Sequence, residues 1–154
     1  SHARGVTVEA EIGHVGTGDV SVPSDAYTKP EEAVKFAKAT DCDALAIAVG
    51  TSHGAYKFKP QLDFERIKTI ASLIDQPLVL HGGSGLSDDD FRRAVAAGIS
   101  KVNIFTDINC ACAKAAHDFY AEGCGMTDLM AHISEAAKQA TMKKMMLFGS
   151  NGRA

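Results

Sequence analysis

The stretch Leu78-Val79-Leu80-His81-Gly82-Gly83-Ser84-Gly85 decides how the rest of the chain reads. A short apolar run that ends in a histidine and opens at once into glycines has the form of a buried strand. Such a strand delivers a ligand side chain to an anion site lined by backbone N–H groups.

Working outward from it, Ser87 and Asp90 cap a helix running through Phe91, Ala94 and Val95, and Gly98 closes it. Residues 99–105 form the next strand, with Lys101 and Asn103 opposite Val102 and Ile104, and helices over 107–120 and 127–145 complete the chain before Gly149. Upstream, Asp63 caps a helix whose apolar positions Phe64, Ile67, Ile70, Ala71 and Ile74 keep helical spacing. A proline-containing loop over 56–62 precedes it. Residues 43–49 are an apolar run of strand length that ends in Gly50-Thr51-Ser52-His53-Gly54. Before that, Thr28-Lys29-Pro30-Glu31 matches a capping box with proline in the first turn, and Ala33, Val34 and Ala37 supply the helix's buried stripe. Residues 6–12 alternate strictly, with Glu9 and Glu11 on one face, and 13–26 are a loop.

Strands and helices thus alternate, which implies βαβ units, a parallel sheet and right-handed crossovers. Every glycine- and histidine-rich segment follows a strand. The candidate chemistry therefore collects at the strands' carboxyl ends, where α/β barrels place their sites.

His53 and His81 end consecutive strands, and neighbouring strands lie about 4.8 Å apart, so two imidazoles at matching heights could share a metal. The alternative for each alone is a hydrogen-bonded core histidine. His2, His14, His117 and His132 have no matched partner and read as surface or loop residues. Two like charges at Glu9 and Glu11 need a cation or a donor network. Lys101 projects the same way and can neutralise Glu9, leaving Glu11, nearer the mouth, to face a metal; a structural ion network is the competing account. Gly82-Gly83-Ser84-Gly85 and the end of the next strand, Asn103 to Thr106, are two adjacent places for a phosphate. Lys101 could instead form a Schiff base, though it lies mid-strand. The methionines of 142–146 read as packing, and Arg153 is either a second phosphate contact or a solvated tail residue.

Composition bounds the rest. With 154 residues and 45% hydrophobic content, one domain over 1–154 with one core is expected. A formal charge of −3 and a pI of about 6.0 give no electrostatic case for nucleic acid. Nothing approaches the roughly 18 apolar residues of a membrane span. A soluble, cytoplasmic protein with no membrane partner is expected. Cys42, Cys110, Cys112 and Cys124 lack C-x-x-C spacing and read as reduced, small core residues.

The segments Val8-Glu9-Ala10-Glu11-Ile12-Gly13, Gly50-Thr51-Ser52-His53-Gly54, Leu78 through Gly85, and Lys101-Val102-Asn103-Ile104-Phe105-Thr106 resemble, in order, those of class II ketose-bisphosphate aldolases. The ending Phe148-Gly149-Ser150-Asn151-Gly152 is similar too. The resemblance implies a (β/α)8 TIM barrel to which this chain supplies strands like the fifth to eighth, with catalytic Zn2+. It implies His53 and His81 as two of three histidine ligands and Glu11 as a carboxylate for a second or displaced metal. It also implies that Gly54, Gly82, Gly83 and Ser84, with Asn103, Ile104, Phe105 and Thr106, hold dihydroxyacetone phosphate and a monovalent cation (Na+ or K+). The third histidine and the acid/base aspartate are expected in an amino-terminal half outside this sequence, and the family's acidic cluster after Gly13 is reduced to Asp19. The reaction implied by the resemblance is reversible aldol cleavage of fructose or tagatose 1,6-bisphosphate to two triose phosphates, carried out by a dimer or tetramer. The alternative is a non-catalytic half-barrel that binds a sugar phosphate or completes another subunit.

Overall fold

The computed structural model describes residues 1–17, 23–54 and 60–153; Asp19 and residues 56–59 lie outside them. The chain forms two compact units, Ser1–Asn103 and Ile104–Ala154.

The first unit contains β1 (Glu9–Ile12), β2 (Gly16–Thr17), α1 (Pro30–Thr40), β3 (Ala44–Ile47), β4 (Ser52–His53), α2 (Phe64–Ala71), β5 (Leu78–Leu80), α3 (Asp88–Ala97) and β6 (Ile99–Val102). β1, β3, β5 and β6 make one sheet in that order. All of its pairings are parallel, as the alternation of elements requires. Burial follows position in the sheet. Central strands covered on both faces read as continuous apolar runs, and Leu45, Ala46 and Ile47 of β3 and Leu78, Val79 and Leu80 of β5 are all buried. The edge strand β1 alternates between exposed and half-buried residues.

Local signals set the helices. Asp63 accepts from the Arg66 amide at 2.9 Å and starts α2, which buries Ile67 and Ile70. Ser87 accepts from the Asp90 amide at 3.1 Å and starts α3, which buries Phe91 and Ala94. Gly98 then turns at φ 123°, where a Cβ would sit 2.6 Å from that of Ala71.

Thr28 departs from the expected capping box. The residue before α1 is Lys29, with no side-chain cap, and Pro30 occupies the first turn. The Thr28 hydroxyl instead donates to the Ile12 carbonyl at 2.8 Å and accepts from the Ala48 amide at 2.9 Å. It satisfies two backbone groups at the ends of β1 and β3 that the short strands leave over. The small parallel pair β2–β4, with Thr17 beside His53, is a further element that the periodicity does not announce.

Ahead of β1, the His2 ring lies 2.8 Å from Asp43, whose carboxylate also accepts from the Val8 amide at 2.6 Å. That amide bond, then His2, holds the Asp43 carboxyl below the usual carboxylate range, and Asp43 holds the His2 ring above the usual histidine value. The His2 contribution is full below about pH 6.5 and fades as pH rises through the raised folded value. The Asp43 contribution is present above about pH 3.9 and fades as pH falls through the lowered folded value. An NMR titration of His2 should show a midpoint above 6.5 that returns to the ordinary value in Asp43→Asn; equal midpoints would remove the pair.

The second unit contains α4 (Thr106–Phe119) and α5 (Met126–Phe148). They run antiparallel: Lys144 pairs with Asp107 at 2.7 Å, and His132 stacks on Phe119 with ring centres 3.7 Å apart. Two expectations are corrected. Met142, Met145 and Met146 are exposed within this unit, and of the cysteines only Cys42 is buried, Cys110 being exposed. A strong helical pattern locates a helix but does not say which of its faces is covered. Among the described residues, no helix is long and apolar enough to cross a membrane.

Candidate functional site

The site lies at the carboxyl ends of the first unit's strands. His81 follows β5 directly, and His53 ends β4, six residues beyond β3. Their ring centres are 6.2 Å apart and the planes are tilted by 45°. Two imidazoles on one zinc ion have ring centres about 5–6 Å apart, given Zn–N bonds of about 2.0–2.1 Å. A loop contact keeps them near each other. Gly82, at φ 66°, lies so close to Ser52 that a Cβ there would come within 2.6 Å of the Ser52 carbonyl carbon.

The strand register brings in the acidic groups. Glu9 pairs with Ala44 and Glu11 with Ala46, so Glu11 stands nearer the carboxyl edge. The Glu9 carboxylate meets Lys101 Nζ at 2.8 Å through Oε2 and His81 Nε2 at 3.2 Å through Oε1. Glu11 Oε2 meets His81 Nδ1 at 3.0 Å. The Lys101 hydrogen bond, and after it His81, keeps the Glu9 carboxyl below its ordinary range against an opposing effect of burial. The pairing expected between Lys101 and Glu9 is therefore present. The contact of both carboxylates with one imidazole is not legible in the sequence. Alternation fixes the face of Glu9 and Glu11, but not how far a histidine two strands away reaches across it.

Lys101 Nζ also donates to Asn103 Oδ1 at 2.6 Å. Asn103 in turn extends the pairing of β6 with β5, its amide donating to the Leu80 carbonyl at 3.0 Å. The glycine loop turns at Gly82 (φ 66°) and Gly85 (φ 89°), and Ser84 is buried. Helix α3 begins with Asp88, Asp89 and Asp90, whose charges oppose an anion at the helix terminus. Gly54 is exposed at φ 87°. Ile104, Phe105 and Thr106 open the second unit, where Phe105 is exposed and Thr106 starts α4. Arg153 is exposed in that same unit.

Among the described residues, no three histidine, cysteine, aspartate or glutamate side chains are gathered as a metal-ligand group. The donor types at hand, two imidazoles and a carboxylate, suit a zinc-type cation by their chemistry.

The class-II fructose-bisphosphate aldolase family model matches residues 1–153. The chain is 40% identical over 156 residues to the uncharacterized protein YdjI of Escherichia coli K12, covering 99% of this chain and 55% of that protein. The crystal structure of the YdjI aldolase superposes with a TM-score of 0.85 at 38% identity, over 99% of this chain and 53% of that one. A candidate fructose-1,6-bisphosphate aldolase from Coccidioides immitis gives 0.84 at 32% identity, over 99% and 55%. The chain thus spans about half the length of the relatives it matches. With its parallel α/β architecture, this chain belongs to the class II fructose-bisphosphate aldolase family of TIM barrels.

Proposed function

We propose that this chain supplies the carboxyl-terminal half of one catalytic domain, a metal-dependent aldolase that reversibly cleaves a ketose 1,6-bisphosphate, fructose or tagatose, into two triose phosphates. The observation that carries the proposal is the approach of His53 and His81 to 6.2 Å beside Glu11, next to a glycine loop. His53 and His81 would hold Zn2+, and Glu11 would take a second or displaced metal. Zn2+, when bound, supplies Lewis-acid polarisation of the substrate ketone.

The chain's own residues do the rest. Gly54, Gly82, Gly83 and Ser84 hold the phosphate of dihydroxyacetone phosphate through the loop backbone, with Na+ or K+ as counter-charge, and Asn103, Ile104, Phe105 and Thr106 contribute to the same substrate. Binding energy spent on a phosphate remote from the reacting carbons orients the ketone. The working enzyme is a homo-oligomer, a dimer or tetramer.

Lys101 does not fit a Schiff-base role. Its Nζ is engaged by the Glu9 carboxylate at 2.8 Å and the Asn103 amide oxygen at 2.6 Å, so it is not presented as an unencumbered nucleophile. The deciding experiment treats the protein with a chelator and, separately, with borohydride in the presence of substrate. Cleavage should stop with the chelator, return on adding Zn2+, and survive borohydride. Loss of activity to borohydride with a label on Lys101 would overturn the metal mechanism.

A further inference from the structure

Lys144, about one turn from the end of α5, meets Asp107 in the first turn of α4 at 2.7 Å. The two side chains are 19% and 29% exposed. The pair is therefore more enclosed than Lys114–Asp118 and Lys138–Glu135 on the same two helices, and salt screens it less. Asp107 directly follows Thr106, one of the residues assigned above to the substrate. Phe105 at the cap position brings no side-chain acceptor, which leaves Asp107 as the one acid of the first turn of α4. A carboxylate there suits the helix itself, but it repels a phosphate that approaches the neighbouring residue. Lys144 brings a positive charge to that carboxylate from a different helix, so an arriving phosphate meets a neutral pair.

We propose that Lys144 is a positioning residue for the substrate phosphate that acts through Asp107, cancelling the charge of a carboxylate that stands beside Thr106. This deepens the phosphate reading of Thr106 and rests on it. Its consequence is an asymmetry between the two partners. A pair that only fastened α4 to α5 would weaken phosphate binding alike, whichever side chain was removed. Charge cancellation gives the two removals opposite signs: without Lys144 the bare carboxylate repels phosphate, and without Asp107 the bare ammonium attracts it. Removing both leaves no net charge, as in the intact pair, and strands neither partner.

The test uses the complete enzyme loaded with Zn2+ and reads two constants, the KM for the ketose bisphosphate and the inhibition constant of inorganic phosphate. Lys144→Met should raise both about five- to tenfold while kcat stays within about twofold. Lys144→Arg, which keeps the charge, should stay within about twofold of wild type. Asp107→Asn should lower the inhibition constant by about threefold. The double variant Asp107→Asn/Lys144→Met should return to within about twofold of wild type, a recovery that separate structural losses do not produce. Circular dichroism checks that each variant is folded, and Asp107→Asn decides the sign even where Lys144→Met does not fold. Unchanged constants in Lys144→Met, weaker phosphate binding in Asp107→Asn, or a double variant no better than Lys144→Met would each overturn the proposal. A Thr106 amide signal that inorganic phosphate leaves unmoved in 1H–15N spectra would instead remove the reading beneath it.

Discussion

Replacing His81 by alanine is expected to remove bound zinc and lower aldol cleavage by about a thousandfold or more. A metal acting as a Lewis acid supplies several kcal/mol of transition-state stabilisation, and each ~1.4 kcal/mol is about tenfold in rate. His81 is one of two imidazoles that approach each other at 6.2 Å, and the described residues hold no three-member ligand group that could replace it. The fold should survive the change. Lys101 remains to compensate Glu9, and Glu11 is part-exposed, so neither carboxylate is stranded in an apolar interior. Elemental analysis and rate measurement on the same sample check the expectation, with circular dichroism as the control for folding. Zinc content unchanged beside lost activity would mean that His81 acts on substrate and not on metal.

Much of the architecture is legible because its signals are local. The apolar runs of β3 and β5 announce strands buried on both faces, and Asp63 and Ser87 announce the helices they cap. Both histidines stand out for the same reason, each lying between an apolar strand and a glycine. The ion pair between Glu9 and Lys101 can also be read, since strand alternation puts both on one face.

The features that escape sequence reading depend on distances across the chain. Thr28 carries the sequence of a cap, but the free carbonyl of Ile12 and amide of Ala48 offer its hydroxyl two buried partners. Such groups cost free energy if left unpaired, and no helix-start pattern encodes them. Residues 99–105 have the pattern of one strand, yet β6 ends at Val102. Asn103 still pairs with Leu80 through its backbone while its side chain turns to Lys101. The second unit shows the same limit. The spacing of Met142, Met145 and Met146 says helix, but their coverage depends on what packs against α5 and not on their own order in the chain.

Gly82→Ala is the second large effect, and it separates backbone approach from backbone conformation. At φ 66° an L-residue costs about 1–2 kcal/mol by itself. The added methyl would also meet the Ser52 backbone, 2.6 Å from its carbonyl carbon and 3.0 Å from its nitrogen, with the carbonyl oxygen closer still. No rotamer relieves a backbone contact, so the total loss should reach about 3 kcal/mol. Gly54→Ala is the matched control, since φ is again positive at 87° but no described atom lies within 4 Å of the new carbon. It should lose only about 1 kcal/mol. Urea unfolding of both variants measures the difference, and equal losses would show that the contact between the two loops is loose. The functional consequence comes from the residues that flank the contact. Ser52 precedes His53 and Gly82 follows His81, so pushing the loops apart moves the two imidazoles off a shared position. A displacement of about 1 Å can cost about a hundredfold in rate, and zinc affinity should fall in Gly82→Ala while Gly54→Ala binds zinc as the wild type does.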